Sequence, residues 1–226
     1  MGQASPGCTC TRSKSRRFTR VALIAATIVL VLSQGRLISS AKAEAEADLS
    51  RAPPLAISDQ EAEPTPAWTS FCQQRPAECS PDRSEPEAIS LTPDIWLTLA
   101  TVNARVNTAI KPLSDQEHWG VVDRWDYPDD GYGDCEDIQL LKRKLLIEAG
   151  LPRRALRMTV VLDRAWAGHA VLMVRTDRGD FILDNERRAI LAWSETGYVF
   201  IKREGAEGRS WVTLNPHPAP IVTANR

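Results

Sequence analysis

Apolar and polar residues alternate with two different periods along this chain, and the change of period divides it. Between Thr92 and Ile110, the residues Ile95, Leu99, Val102, Val106 and Ile110 recur every three or four positions. That spacing puts one apolar stripe on a helix. Thr92 suits the N-cap and Pro93 the first helical position. A second stripe of Ile138, Leu141, Leu145 and Ala149 predicts a buried face on a helix over 135–149, stopped by Gly150 and Pro152. Beyond Pro152 the pattern becomes strand-like. Met158–Leu162 and His169–Arg175 are strand runs, Thr176-Asp-Arg-Gly179 reads as a hairpin turn, and Asp180–Asp184 is the return strand. Ala189–Trp193, Tyr198–Lys202 and Trp211–Leu214 are further short strand segments. Helices first and strands after predict an α+β fold, with the 135–149 helix packed on an antiparallel β-sheet.

The N-terminal region has a different character. Residues 1–20 carry Arg12, Lys14, Arg16, Arg17 and Arg20 and no acid, and Val21–Leu32 is apolar. That run is short of the roughly 20 residues a bilayer span needs, and it suits a signal-peptide core. Ala41-Lys42-Ala43 supplies small residues for cleavage. The expectation is a signal peptide over 1–43 and export to the periplasm, an uncleaved anchor being the alternative. Residues 44–66 are rich in Ala, Glu and Pro without periodicity and read as a disordered linker. The domain is then 67–226. It begins with a short element, Ala67–Cys79, that holds Trp68 and Phe71.

Charge narrows the choice of partners. The 226 residues include 28 basic and 29 acidic side chains, a formal net of −1. This gives no case for nucleic acid or an anionic surface as the main partner. Of five cysteines, Cys8 and Cys10 fall in the signal segment. Cys72 and Cys79 are close enough in sequence to close a small disulfide loop in an oxidising compartment, two free buried thiols being the alternative. Cys135 is left over, and an odd cysteine in an exported protein is a candidate reactive thiol.

Its setting is Gly131-Tyr-Gly-Asp-Cys-Glu-Asp137. Asp134 is the expected N-cap, its carboxylate taking the N–H of Glu136 or Asp137. The thiol then lies in the first helical turn, where the helix dipole favours thiolate. The flanking acids oppose this, so a cation is needed. The hairpin supplies one. If Asp177 and Arg178 form its tip, Asp184 falls opposite Val171, and His169 and Asp184 become diagonal neighbours on one face, about 7–8 Å apart at the backbone. Val171 and Met173 on that face would pack on the cysteine helix. Cys135, His169 and Asp184 then have the types and order of nucleophile, base and orienter. Asn185 is an alternative orienter. His118, in a loop, and His217, in a Pro-containing tail, are rival histidines without an evident carboxylate partner. Trp125, in the loop before the nucleophile, is the cleft candidate to help hold an oxyanion with the Cys135 N–H. One cysteine and one histidine fall short of a zinc site.

Gly133-Asp-Cys-Glu-Asp137, Gly168-His-Ala-Val-Leu172 and Leu183-Asp-Asn185, in this order, resemble the bacterial transglutaminase-like cysteine proteinases. That family includes the LapG-type periplasmic proteases that release a giant biofilm adhesin. The resemblance implies a papain-like transglutaminase core, Cys135, His169 and Asp184 as the triad, and calcium held by Asp134 and Glu136 with Asp137. It also implies a protein substrate such as a surface adhesin, and a membrane-bound regulatory protein. Transglutaminase or amidase chemistry on the same triad, and a non-catalytic calcium-dependent binding module, are the alternatives.

Overall fold

The computed structural model describes Leu55 and residues 60–214. The described part starts with a short strand β1 (Glu61–Ala62), a helix α1 (Pro66–Gln74) and a 3-10 turn at Pro76–Cys79. Helix α2 (Pro93–Ala109) leads to β2 (Lys111–Pro112), the one-turn α3 (Asp115–His118) and β3 (Tyr132–Gly133). Helix α4 (Cys135–Glu148) follows at once. The rest is β4 (Leu156–Leu162), β5 (Gly168–Thr176), β6 (Gly179–Leu183), β7 (Leu191–Ala192), β8 (Val199–Glu204) and β9 (Trp211–Thr213). The strands other than β2 and β3 form one antiparallel sheet in the order β1-β9-β8-β4-β5-β6-β7. The fold is α+β, as the patterning predicts.

Local chemistry explains the helix starts. Thr92 Oγ1 accepts from the Ile95 N–H at 3.3 Å, with Pro93 in the first turn, and Thr65 Oγ1 accepts from Trp68 N–H at 3.2 Å ahead of α1. Each cap satisfies a backbone donor that the helix itself cannot. Cys72 and Cys79 are disulfide-bonded, tying α1 to the 3-10 turn. Trp68 stacks on Phe71 and meets Trp125 and Trp211 edge-on at 5.3 and 5.9 Å, so this element forms one wall of the core.

Three expectations are corrected. Residues 60–66, expected in the linker, hold β1, which pairs with β9, and the Thr65 cap. Pairing with a sheet edge, rather than an apolar stripe, is what orders so polar a segment. The signal segment, residues 44–54 and 56–59, and His217 lie outside the described residues. On α4, Ile138 is buried, Leu141 and Leu145 are only partly so, and Ala149 is exposed, while Leu140 and Leu146 are fully buried. The helix has two covered faces. Ile138, Leu141 and Leu145 pack with Val106 and Ile110 at the end of α2, and Leu140 and Leu146 belong to the main core with Leu172 and Val174. A single stripe therefore describes only half of its burial. Finally, Val171 and Met173 do not pack on α4. They join Val161, Ile182 and Phe200 in a separate cluster on the other face of the sheet, and the even-numbered face of β5 meets the helix. Because β5 is buried on both faces, its central run Ala170–Val174 is apolar throughout and carries no mark of which side faces the helix.

A candidate active site at the start of helix α4

The hairpin register places the histidine. Thr176 pairs with Gly179, Arg175 with Asp180 and Leu172 with Leu183, so the turn tip is Asp177-Arg178 without a bulge. This puts Asp184, just past β6, diagonal to His169 at the start of β5. His169 Nε2 donates to Asp184 Oδ1 at 3.0 Å. The Glu186 N–H donates to the same oxygen at 2.9 Å, and the Tyr198 hydroxyl donates to Oδ2 at 2.6 Å. Burial pushes the Asp184 carboxyl up, but the bond and charge of His169 and the bond from Tyr198 more than offset it, so the carboxyl is held low. Burial likewise pushes His169 down, but Asp184 and the nearby Cys135 sulfur raise it to about 10. Its other nitrogen, Nδ1, has no hydrogen-bond partner.

The thiol is set by the helix start. The Ala170 N–H, on β5, donates to Cys135 Sγ at 3.3 Å, and Cys135 and Ala170 form their own small buried contact. Cys135 and His169 are both fully buried. The expected cap is not made. Asp134 stands at the N-cap position, but its side chain makes no capping bond; Oδ2 accepts from the Asp115 N–H at 3.3 Å. The parallel pairing of β2 with β3 explains this, since it brings the chain leading into α3 alongside Gly133. Gly133 itself has no room for a side chain, because a Cβ would lie 2.9 Å from Asp137 Cβ and 3.1 Å from Pro128 Cβ.

A second group of carboxylates lies beside the thiol. Asp115, Asp134 and Glu136 are buried and can each offer an oxygen such that all lie within 4.8 Å of one another. Asp134 Oδ1 and Glu136 Oε1 are buried without a hydrogen-bond partner. Glu136 Oε2 accepts from the Cys135 thiol at 3.0 Å. Burial, and then the charge of neighbouring Asp115, raise Asp134 to about 7; burial, and then the charges of Cys135, Asp134 and Asp123, push Glu136 well up. Three carboxylates with close oxygens, two of which keep a buried oxygen without a donor, suit a hard cation such as calcium.

Two sequence expectations are corrected here. Asp137 falls outside this close group, and its Oδ1 accepts from the Asp126 N–H at 2.8 Å. Asp115 takes the third place, and no local motif announces it, since it is brought in from nineteen residues upstream. Trp125 is not a cleft residue. Its ring is buried against Trp68 and Trp211, and its indole N–H is spent on Asp123 at 3.0 Å. His118 does have a carboxylate partner, Asp130 at 2.8 Å, but it ends the one-turn α3, stacked on exposed Trp119. Asn185 accepts from Gln139 at 3.1 Å, whereas Asp184 holds the histidine.

A buried cysteine at a helix start, a histidine beside it and a carboxylate behind the histidine can carry out nucleophilic acyl transfer. The family that the sequence matches points the same way. Residues 57–218 match the family model described as bacterial transglutaminase-like cysteine proteinase. A solved Legionella pneumophila LapG is 28% identical, with 54% of this chain and 71% of that one covered at a TM-score of 0.46. Its calcium-bound form is 25% identical over 59% and 76% of the two chains, with a TM-score of 0.48. The EGTA-treated form is 29% identical over 54% and 69%, with a TM-score of 0.46. No curated protein matches.

Proposed function

Since the chain belongs to the bacterial transglutaminase-like cysteine proteinases, we propose that it is an endopeptidase working through Cys135, His169 and Asp184. The observation that carries this reading is the contact set at the start of α4: Sγ beside Ala170 N–H, and His169 held by Asp184 at 3.0 Å. In the reaction, His169 holds the proton given up by Cys135, and the thiolate attacks the scissile carbonyl. The Cys135 N–H lies in the first turn, where backbone donors lack helical acceptors, and can receive the developing oxyanion. The tetrahedral intermediate collapses as the imidazolium protonates the leaving amine, giving a thioester. His169 then deprotonates water, which attacks the thioester and releases the acid and the thiol. Asp184 keeps the imidazole in the tautomer whose Nδ1 faces the chemistry and stabilises its cation. With Cys135 and His169 fully buried, a peptide reaches them only when the covering groups move.

Asp115, Asp134 and Glu136 would hold calcium, which when bound would offset the negative charge next to the thiolate. The orphan oxygens of Asp134 and Glu136 support this. The exported setting follows from the expected signal peptide over 1–43, and extracytoplasmic calcium suits such a site. By family analogy the substrate is a surface or secreted protein such as a biofilm adhesin, and a membrane-bound protein is the regulator.

The test compares the lengths of envelope and surface proteins in cells carrying the wild-type chain or Cys135→Ala, with and without a calcium chelator. The expected result is a protein shortened only by the wild type and only with calcium. Equal cleavage by Cys135→Ala would sink the enzyme assignment, and cleavage unchanged by chelation would sink the calcium assignment.

A further inference from the structure

Asp184 orients His169 through Oδ1, and its second oxygen has a partner of its own. The Tyr198 hydroxyl donates to Oδ2 at 2.6 Å. The Tyr198 ring stands edge-on to the His169 ring at 5.8 Å. One side chain therefore touches both partners of the pair. Tyr198 is half-buried and lies just before β8, on a different element from either of them.

The segment that presents Tyr198 is itself held. Its N–H donates to Thr196 Oγ1 at 3.1 Å, and the Thr196 carbonyl accepts from Arg164 at 3.1 and 3.2 Å and from Arg187 at 3.4 Å. Arg164 is on the loop leading to His169, and Arg187 is on the loop leaving Asp184. The Thr196–Tyr198 segment thus grips both loops that carry the pair. Arg187 also lies over the Tyr198 ring, 5.3 Å from its centre. Burial and Asp184 push the Tyr198 phenol well above its ordinary range, so it stays a donor across the working pH range.

Apart from Tyr198, Oδ2 has only Arg187 Nε, 3.8 Å away and beyond hydrogen-bond reach, so without the hydroxyl the carboxylate, held on Oδ1 by His169 and Glu186 N–H, can rotate about its Cβ–Cγ bond. A donor fixed on the second oxygen removes that freedom. We propose that Tyr198 is a positioning residue of this site, holding Asp184 so that Oδ1 stays on His169. This rests on the triad reading above. Nothing in the local sequence, Thr196-Gly-Tyr198, announces the role.

The test is Tyr198→Phe, which keeps the ring and removes the hydroxyl, made alone and together with Asp184→Ala. Two readings are taken: cleavage of a processed substrate, and the pH profile of Cys135 alkylation by iodoacetamide, which needs no substrate. The expected result is a kcat lower by about tenfold with KM unchanged, and an acid limb of alkylation displaced to higher pH. In the Asp184→Ala background the same substitution should cost no further activity, because it acts through Asp184. An unmoved alkylation profile, or an equal loss in the Asp184→Ala background, overturns the role and marks Tyr198 as packing alone. A wild-type Cys135 that fails to alkylate would overturn the triad reading and this proposal with it. A normal wild-type profile that Tyr198→Phe leaves unchanged overturns this proposal alone.

Discussion

Two sets of buried carboxylates adjoin the cysteine and its histidine, and they differ in how their oxygens are used. Asp184 has three donors across its two oxygens: His169, Glu186 N–H and Tyr198. Asp134 and Glu136 each leave one buried oxygen without any. Burial acts on both sets in the same direction, raising the cost of ionisation. Only at Asp184 do donors overcome it, and there the carboxyl is held low; in the cluster the groups are pushed up. The difference teaches that burial alone does not set a carboxylate's charge. A satisfied carboxylate orients a neighbour, and an unsatisfied one waits for a cation.

The sharpest way to break this comparison is to remove each set separately. Asp184→Ala should lower kcat/KM by at least about a hundredfold, since an unoriented base loses most of its catalytic effect, and should leave calcium binding intact. Kinetics together with a calcium titration check this. A loss of calcium binding in that variant would mean the two sets act as one.

The cluster should respond to calcium in the opposite way. At a hundredfold excess over Kd, calcium should stabilise the wild type by about 2.7 kcal/mol, a rise in Tm of about 5–10 °C for a chain of this size. Asp115→Ala should abolish most of that rise. Thermal unfolding with and without EGTA reads it, and an equal rise in wild type and variant would exclude Asp115 as a ligand.

The satisfied pair should also show in stability against pH. His169 is raised from 6.5 to about 10 in the folded protein. Its contribution is therefore complete below about 6.5 and lost as pH rises through about 10. Asp184 is lowered, so its contribution is present above its unfolded value and lost as pH falls through the folded one. The stability margin of wild type over His169→Gln, measured by denaturant unfolding, should shrink by on the order of a few kcal/mol between pH 6.5 and pH 10. A margin flat across that range would mean the pair is not ionised in the fold.

The smallest effect sharpens the ligand set. Asp137 sits beside the cluster but accepts from Asp126 N–H. Asp137→Asn should change half-saturation by calcium less than about threefold, against at least about tenfold for Asp115→Ala. Isothermal titration separates the two, and equal losses would return Asp137 to the ligand set.

Much of the pair was legible because a hairpin is local. The turn residues Thr176-Asp-Arg-Gly179 fix the register, and a period of two carries that register to His169 and Asp184. The helix over Cys135–Glu148 and the capped start at Thr92 were legible for the same reason, as was the proximity of Cys72 and Cys79. Trp125 was misplaced because an aromatic near a nucleophile looks the same in sequence whether it faces a cleft or Trp68. Tyr198 was missed because the role depends on a strand start meeting a loop fourteen residues away.

The sequence by itself determined the elements, the order of Cys135, His169 and Asp184, and the side-by-side placing of the last two. These depend on periodicity, capping and a tight turn, each set within a few residues. Tertiary structure decided which face of β5 meets α4, since a strand buried on both sides carries no pattern to choose by. It also decided that Asp115, not Asp137, joins Asp134 and Glu136, through the pairing of β2 with β3. Contacts between distant segments are set by how whole elements pack, and that packing is what turned four acids near a thiol into one bound by donors and a group of three left open to a cation.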